Sequence, residues 1–310
     1  MLDNIKLIQS ITEQQYIQLL NTLRLLNPVS HTKFENTGIT VTQTTYKDCF
    51  LKLTPNYLTV SLSLSKLLLG TNQFNVTRKD AALALLKLQD ILGIDISSAK
   101  VSRIDIAYNI SMDQPLETYF KLLCSKDKMK RWTISNETLY FTNKNKGMKL
   151  VFYNKTNQLS DTKQVVLPEN LTKNILRYEI SLTSKVIKKL GYHEITCATL
   201  IDEAFYQSLV ELWYNEYKTI IKLSYSEATN YGNNLSEFKE YLMMAGIEKI
   251  GATAVYDIVD NHPAFKLSPK TKYNIKRMLK KLITNRVNFN ASDALDELDE
   301  KMFNILQNAA

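Results

Sequence analysis

A tyrosine and two acidic residues, Tyr153, Asp105 and Glu179, occupy similar positions in three predicted strands. The strands read VSRIDIAYNI, MKLVFYNK and LRYEISL, and side chains along a strand point alternately to its two faces. In each strand the residue falls opposite the face that carries most of the large apolar side chains. If the three strands are neighbours in one sheet, the three side chains project from the same surface.

Two carboxylates on one surface can hold a hard divalent cation, and both Mg²⁺ and Mn²⁺ suit carboxylate and phosphate oxygens. A tyrosine beside such a cation can attack phosphorus if its phenolate is stabilised, because the ordinary pKa of a phenol is about 10. Lys149 and Lys155 flank Tyr153 in sequence and are candidates for that stabilising role. Arg103 and Arg177 flank the acids and are candidates for contacting nucleic-acid phosphates.

The same pattern also has a purely structural explanation. An antiparallel sheet with one solvated face carries polar residues on that face, and opposite charges there form cross-strand pairs. From alternation alone, both interpretations stay open. Tyr178 lies on the apolar face of its strand and is predicted to be a core residue rather than a nucleophile.

The composition indicates a globular protein without a membrane span. The chain has 310 residues, of which 45% are apolar and 23% are charged, and no apolar run approaches the roughly 20 residues of a transmembrane helix. The first residues lack the basic and apolar regions of a signal peptide. Cys49, Cys124 and Cys197 are far apart, so neither a zinc site nor a disulfide framework is predicted. We therefore expect a cytoplasmic protein.

The charge distribution favours a polyanionic partner. The net charge is +8 although the segment SDALDELDEKM near the end of the chain is acidic. Residues 265–286 contain eight basic residues and no acid. On a helix that begins near Pro269, four of them face solvent and are candidates for binding DNA phosphates: Lys272, Lys276, Lys280 and Arg286. The alternative is a solvated basic helix that pairs with the acidic segment.

The elements that must position these residues change in character along the chain. Helical patterns over 12–28, 77–93 and 116–124 alternate with strand patterns over 38–46, 56–64, 101–110, 137–155 and 174–183. Long amphipathic helices follow from about Ser184. We predict an α+β fold with a mainly antiparallel central sheet and flanking helices over residues 1–183, followed by an α-helical domain over 184–310.

Four segments together resemble the rolling-circle replication initiators of phages and plasmids, namely the gene II/X family and the related Rep_trans family. They keep the order and approximate spacing of those families across residues 57–183. The segments are SLSLSKLLLGTN, VSRIDIAYNI, GMKLVFYNK and ILRYEISL.

The resemblance implies that Asp105 and Glu179 bind the metal and that Tyr153 is the nucleophile. It implies a site-specific nick in one DNA strand, a 5′-phosphotyrosyl intermediate, a free 3′ hydroxyl that primes synthesis, and rejoining by the reverse attack. No nucleotide cofactor is expected. The implied partners are a single-stranded or hairpin DNA origin and a host helicase and polymerase, and the sequence leaves monomer and homodimer open.

Two positions depart from the family pattern. Relatives often carry acids where this chain has Ser61 and Gln158. Metal binding would then depend on fewer carboxylates, or on another acid such as Asp48 or Glu137. The departures favour an alternative function, a DNA-binding protein of the same fold that recognises an origin or regulatory site without cutting it.

Other residues whose types could serve a DNA-processing site are better explained as structural. The histidines are isolated, so the histidine pair of the related HUH nucleases is absent: His31, His193 and His262. Four aromatic residues of the segment YQSLVELWYNEY could stack on unpaired bases, but their helical spacing favours the core: Tyr206, Trp213, Tyr214 and Tyr217.

Overall fold

The computed structural model describes most of the chain, with gaps at short internal segments and at the end. The described residues are 1–36, 38–135, 137–144, 147–161, 174–183, 190–222, 235–262, 266–285 and 293–308. Arg286, predicted to contact DNA, lies outside them. Ser184, at the predicted domain boundary, also lies outside them, so that boundary stays a prediction.

Ten of the described strands form one sheet in the order β2-β3-β4-β5-β1-β6-β11-β10-β9-β8, and β12 pairs with β7 in a second sheet. All neighbouring strands run antiparallel. The bounds are β1 Leu2–Ser10, β2 Ser30–Lys33, β3 Thr40–Tyr46, β4 Cys49–Thr54, β5 Tyr57–Ser63, β6 Lys100–Met112, β7 Leu123–Ser125, β8 Met129–Ile134, β9 Thr138–Asn143, β10 Met148–Asn154, β11 Asn174–Thr183 and β12 Ile221–Lys222.

The described helices flank the sheet and dominate the last third of the chain. None of them is both long enough and apolar enough to cross a membrane. Their bounds are α1 Glu13–Leu26, α2 Leu64–Leu69, α3 Arg78–Leu92, α4 Leu116–Leu122, α5 Lys155–Asp161, α6 Cys197–Leu200, α7 Glu203–Lys218, α8 Leu235–Ile250, α9 Ala252–Asn261, α10 Pro269–Asn285 and α11 Asp293–Asn308.

Helix α3 shows how local sequence sets the boundaries of these elements. Thr77 caps its N-terminus, and Thr77 and Asp80 form a reciprocal capping box. Gly93 ends it with a φ of 68°, a left-handed conformation that glycine adopts without strain. The helix predicted over 77–93 is therefore confirmed, with both termini where the capping residues put them.

The apolar face of the sheet packs against helix α7 around Tyr178 and Trp213. Both residues are 0% exposed, and their ring centroids are 4.8 Å apart. The Trp213 indole N–H donates to the Tyr178 carbonyl, and the Tyr178 hydroxyl donates to the Trp213 carbonyl, each at 3.3 Å. The buried residues of the sheet and of the C-terminal helices form one continuous hydrophobic core.

The predicted α+β fold class, with an antiparallel sheet, flanking helices and a helical C-terminal part, is confirmed. Several strands were not predicted from the sequence. The most consequential of them is β1, because it lies in the sheet between β5 and β6. The edge strand β8 was also missed, because most of its residues are exposed and its side chains do not alternate between apolar and polar.

Candidate active site

The polar face of five neighbouring strands carries three rows of paired residues. Strand register defines them: the first row is Lys130, Thr142, Lys149, Ser181 and Asp105; the second row is Trp132, Tyr140, Val151, Glu179 and Ala107; the third row is Ile134, Thr138, Tyr153, Arg177 and Asn109. The register thus places Asp105, Glu179 and Tyr153 on one face, each in a different row. Tyr178 occupies the opposite face.

Tyr153 and Glu179 line the same cavity, here called the tyrosine cavity. It has a volume of about 320 Å³, and the residues that matter for its chemistry are Glu137, Tyr140, Lys149, Tyr153, Gln158 and Glu179. Tyr153 is half-buried. A phenol, two carboxylates and an ammonium group therefore meet in one recess of the sheet surface.

The surroundings of Tyr153 keep its phenol protonated in the free protein. Burial raises the pKa of Tyr153 above its usual value; the positive charge of Arg177 opposes this shift, and the negative charge of Glu179 adds to it. Positive charge added to the tyrosine cavity would lower this pKa and favour the phenolate.

Glu179 lies one row from Tyr153, since it pairs with Val151, two residues before Tyr153. Burial raises the pKa of Glu179, while the charge of Arg177 lowers it. Its Oε1 atom accepts a hydrogen bond from the Ser181 hydroxyl at 3.3 Å. The Nε atom of Arg177 lies 3.7 Å from its Oε2 atom.

Asp105 is fully occupied by Arg103. The guanidinium donates to both carboxylate oxygens, Nε to Oδ1 at 2.8 Å and Nη2 to Oδ2 at 2.7 Å. The Asp105 side chain is 1% exposed, whereas that of Arg103 is 48% exposed. As folded, Asp105 holds Arg103 at the surface and does not line the tyrosine cavity.

Asp3 is a charged residue of the polar face that was not predicted from the sequence. Its carboxylate forms a buried ion pair with Arg177, whose guanidinium also donates to the Asn109 side chain at 2.9 Å. A register shift in β1 brings Asp3 to this face, because Ile5 pairs with Ile104 and Leu2 pairs with Ile106. Two residues of β1, Asp3 and Asn4, therefore lie opposite the single residue Asp105.

The ion pair changes the role that can be assigned to Arg177. Its side chain is 3% exposed, so it does not reach a DNA phosphate from this position. Its Nε atom is buried and has no hydrogen-bond partner among the described residues. Arg177 is buried within the polar face, and its positive charge opposes the rise that burial causes in the pKa values of Tyr153 and Glu179.

The two candidate lysines lie in different environments. Lys149 lines the tyrosine cavity, and its ammonium group lies 5.9 Å from the centroid of the Tyr140 ring. Lys155 is buried outside the cavity lining, and its ammonium donates to the side-chain oxygens of Asn72 at 2.8 Å and Gln158 at 2.7 Å. Burial lowers the pKa of Lys155 to about 7, helped by the charge of Arg177.

The two positions that depart from the family pattern, Ser61 and Gln158, lie in different surroundings. Gln158 lines the tyrosine cavity, so an acid there would face Tyr153, whereas this chain offers an amide. Ser61 lies on β5 and pairs with Lys6 of β1. Glu137 lines the tyrosine cavity and accepts a hydrogen bond from Asn157 at 2.9 Å. Asp48 lies in the turn before β4 and pairs with Lys66 instead.

The donors that face the tyrosine cavity fit a lightly coordinated divalent cation. Within the described residues, no group of three or more His, Cys, Asp or Glu side chains is arranged to hold a metal. Mg²⁺ in nucleic-acid enzymes is typically held by one or two carboxylates together with water and substrate phosphates. Glu179 and Glu137 provide that number of carboxylates on one cavity, whereas Asp105 would first have to release Arg103.

The predicted basic helix is α10, and it lines a larger groove here called the basic groove. This groove has a volume of about 670 Å³ and is formed by α9, α10 and the segment 124–131; Lys276 and Lys280 line it. Lys276 pairs with Asp260 at 2.6 Å, and Lys272 donates to the Asp260 carbonyl at 2.6 Å. Lys276 thus pairs with an acid of α9 rather than with the acidic segment of α11.

The aromatic residues of α7 belong to the core. Tyr206, Trp213 and Tyr217 are each at most 2% exposed, which excludes base stacking from the folded state. Tyr214 is half-buried and packs edge-on against Phe303, with ring centroids 6.1 Å apart. The histidines lie on β2, before α6 and after α9, and form no pair: His31, His193 and His262.

A match to a family model connects the chain with DNA replication. A family model described as the N-terminal part of a phage replication-associated protein matches residues 9–205, which is more than half of the chain. A solved structure of a rolling circle replication initiator protein from Geobacillus stearothermophilus is similar at 10% identity with a TM-score of 0.38, covering 77% of this chain and 90% of that chain. That likeness is too distant to support a residue-level argument. A comparison with curated proteins found no match.

Proposed function

The chain belongs to the phage replication-associated protein family, the rolling-circle replication initiators that its sequence resembles, and we propose that it nicks and rejoins one DNA strand through Tyr153. One observation carries the proposal: Tyr153 and Glu179 open into one cavity on the polar face of the sheet. The cavity also contains Lys149, and its walls carry the donors that a phosphate and a cation need.

In the proposed step, the phenolic oxygen of Tyr153 bonds to the phosphorus of one phosphodiester, and the bond from that phosphorus to the 3′ oxygen breaks. The phenol proton passes to water. The 3′ oxygen leaves with the electron pair and takes up a proton, which gives a free 3′ hydroxyl. The 5′ end stays on Tyr153 as an ester, so attack by a 3′ hydroxyl on that ester can rejoin two strands.

The protein's own charges lower the barrier to this attack at two points. Arg177 opposes the effect of burial on the pKa of Tyr153, and so favours the phenolate that attacks. Lys149 lines the cavity, and its ammonium group would neutralise a non-bridging phosphate oxygen. Lys155 is a positioning residue in this scheme, since its ammonium group holds Gln158 in the cavity lining.

Glu179 and Glu137 would hold a divalent cation in the tyrosine cavity, and Glu137 also accepts a hydrogen bond from Asn157. Mg²⁺ or Mn²⁺ held there would supply positive charge that stabilises the developing charge on the phosphate. Asp105, which the resemblance implies as a ligand, acts in the folded protein by orienting Arg103 toward solvent.

DNA contacts outside the tyrosine cavity would come from two surfaces. Arg103 is half-exposed on the polar face, and Lys280 lies on α10 in the basic groove. Lysine and arginine contacts to phosphates give affinity that falls steeply with salt and that carries no base specificity. Lys272 and Lys276, which are anchored on α9 at Asp260, would add to the positive field of the basic groove.

The alternative is a DNA-binding protein that does not cut. The pairing of Asp3 and Asp105 with arginines favours it, because few free carboxylates are left for a metal. The raised pKa of Tyr153 also favours it, because the attacking phenolate is disfavoured. Both functions predict salt-sensitive DNA binding. They differ in whether a covalent bond to DNA forms.

The test uses 3′-labelled single-stranded oligonucleotides that tile both strands of the DNA around the gene for this protein, so that the origin need not be known beforehand. We expect wild-type protein with Mn²⁺ to give a covalent adduct on a denaturing gel. Tyr153→Phe should give none, because the nucleophilic oxygen is removed, and EDTA should suppress the wild-type band. Tyr140→Phe, in the same cavity, is the matched control and should retain the adduct.

Two results would decide against the proposal. An adduct that persists in Tyr153→Phe would assign the nucleophile to another residue. Salt-sensitive DNA binding without any adduct in wild-type protein would support the non-cutting alternative.

A further inference from the structure

Trp132 is an exposed aromatic residue that the hydrophobic core does not explain. It lies on the edge strand β8, on the polar face, and is 37% exposed. Ile134, two residues later on the same face, is 48% exposed. Large apolar side chains on an exposed sheet edge favour association with another molecule, and contiguous exposed apolar residues mark interaction sites.

Tyr140 fixes the orientation of the Trp132 ring. The two residues are directly paired across β8 and β9, with ring centroids 4.0 Å apart and ring planes within 10° of parallel. Tyr140 also lines the tyrosine cavity. The stacked pair therefore extends from the cavity that contains Tyr153 to the edge of the sheet.

Strand spacing sets the distance between the two aromatic sites. Trp132 lies on β8 and Tyr153 on β10, two strands away, and neighbouring strands are about 4.8 Å apart. The lateral separation is therefore about 10 Å, a distance that neighbouring nucleotides of one DNA strand can bridge.

A second recess, here called the tryptophan cavity, adjoins the tyrosine cavity on the other side of Lys149. It has a volume of about 430 Å³, and Lys149 lines both cavities. Its lining includes Arg103, Lys144 and Lys149 together with Trp132, and no acid is among the described residues that line it. An aromatic ring surrounded by cations is complementary to a nucleic-acid strand, which presents bases and phosphates in turn.

We propose that Trp132, backed by Tyr140, is a stacking platform for an unpaired DNA base close to the phosphate that Tyr153 attacks. Arg103 and Lys149 would contact the backbone between the base and that phosphate. This inference depends on the proposed function for the position of the strand, but it concerns binding and can be tested without cleavage. It predicts that single-stranded DNA, rather than a protein, occupies this edge of the sheet.

The chain offers a direct signal for the test, because it contains two tryptophans and the other, Trp213, is 0% exposed. Oligothymidine is titrated into Tyr153→Phe protein in EDTA while tryptophan fluorescence is recorded. We expect quenching, because a base stacked on Trp132 quenches its emission. An oligonucleotide of the same length with abasic sites should bind through its phosphates but should not quench.

Substitution separates stacking from charge. Trp132→Ala should weaken oligothymidine binding about tenfold, measured by anisotropy of a labelled oligonucleotide, whereas Trp132→Phe should stay within about threefold of wild type because it keeps an aromatic face. In both variants the remaining tryptophan is buried, so the quenching should disappear. Circular dichroism checks that the variants fold.

Three outcomes would overturn the platform. They are equal affinity of Trp132→Ala and wild type, equal quenching by the abasic oligonucleotide, or DNA binding without quenching. Failure of the proposed function looks different: quenching and the tenfold loss would be present, but wild-type protein would form no covalent adduct. Adduct formation without quenching would reject the platform and leave the nicking function in place.

Discussion

Tyr153 and Tyr178 occupy adjacent register positions on opposite faces of the central sheet, and the surroundings of the two residues differ completely. Tyr178 is 0% exposed and stacks on Phe152, with ring centroids 4.3 Å apart and planes within 5° of parallel. Tyr153 pairs in register with Arg177 and opens into a cavity with Glu179. Adjacent positions on two paired strands thus serve packing on one face and charge on the other.

The two faces of the sheet are stabilised by different interactions. On the apolar face, shape and contact area hold the residues, as the stacked rings and α7 show. On the polar face, ion pairing offsets the desolvation cost of the buried charges, as between Asp3 and Arg177. Substitutions that change charge should therefore lower the stability of the protein most on the polar face, and substitutions that change shape should lower it most on the apolar face.

The largest effect on stability should come from Asp3→Ala. This change leaves the buried Arg177 guanidinium without its carboxylate, and breaking a buried ion pair in this way typically costs about 3–5 kcal/mol. Urea unfolding measures the loss. The matched control is Glu194→Ala, which breaks the exposed Lys100–Glu194 pair and should cost less than about 1 kcal/mol.

A double variant, Asp3→Leu with Arg177→Leu, tests whether the loss of stability comes from the unpaired charge of Arg177. It removes both charges, so we expect it to recover a substantial part of the stability lost in Asp3→Ala. If Asp3→Ala and Glu194→Ala had equal effects, the polar face would not depend on paired charges.

A smaller, pH-dependent effect should come from Lys155→Met. Burial lowers the pKa of Lys155 to about 7 in the folded protein, from a usual value of 10.5, so between these values the unfolded chain binds more protons. The free energy of unfolding of the wild type should therefore rise with pH through this window, by about 2 kcal/mol between pH 7 and pH 9 from this group. Lys155→Met should lack that contribution.

The comparison is made by urea unfolding of both proteins at pH 7, 8 and 9. Lys149→Met is the matched control, because its ammonium group lies at a cavity wall instead of inside the protein, and it should retain the wild-type pH dependence. Parallel curves for wild type and Lys155→Met would show that the buried lysine is not the source.

The smallest effect should come from Tyr178→Phe. The ring stays stacked on Phe152, and only the hydrogen bond from its hydroxyl to the Trp213 carbonyl is lost, which costs about 1 kcal/mol. The variant should still form the DNA adduct, in contrast to Tyr153→Phe. A folded Tyr178→Phe protein without adduct would contradict the division of roles between the two faces.

Alternation predicted the faces of Tyr153 and Tyr178 correctly because β10 and β11 pair without a register shift over their whole contact. The fold class followed from the same patterns, since the alternating strands and capped helices of the first half were strong signals. Sequence alone could also place Asp105 beside Arg103, because the two residues are two positions apart on one strand and share its face.

The rest depended on contacts between distant segments. Regular alternation would put Asp3 on the face of Ile5 and Leu7, and only the register shift in β1 moves it to the polar face. The burial of Lys155 depends on Asn72, which is far away in sequence. Trp132 had no signal of its own, because an exposed aromatic residue on an edge strand follows no core pattern.

The second row runs from a central strand to an edge strand, and the two strands differ in backbone hydrogen bonding. Glu179 lies on β11, which is hydrogen-bonded on both sides by long strands, whereas Trp132 lies on β8, which is bonded on one side only. Amide hydrogens at the centre of such a sheet exchange with solvent slowly, and those at its edge exchange fast. The backbone that carries Glu179 is thus held more rigidly than the backbone that carries Trp132, so the proposed stacking platform lies on the strand that can shift more easily.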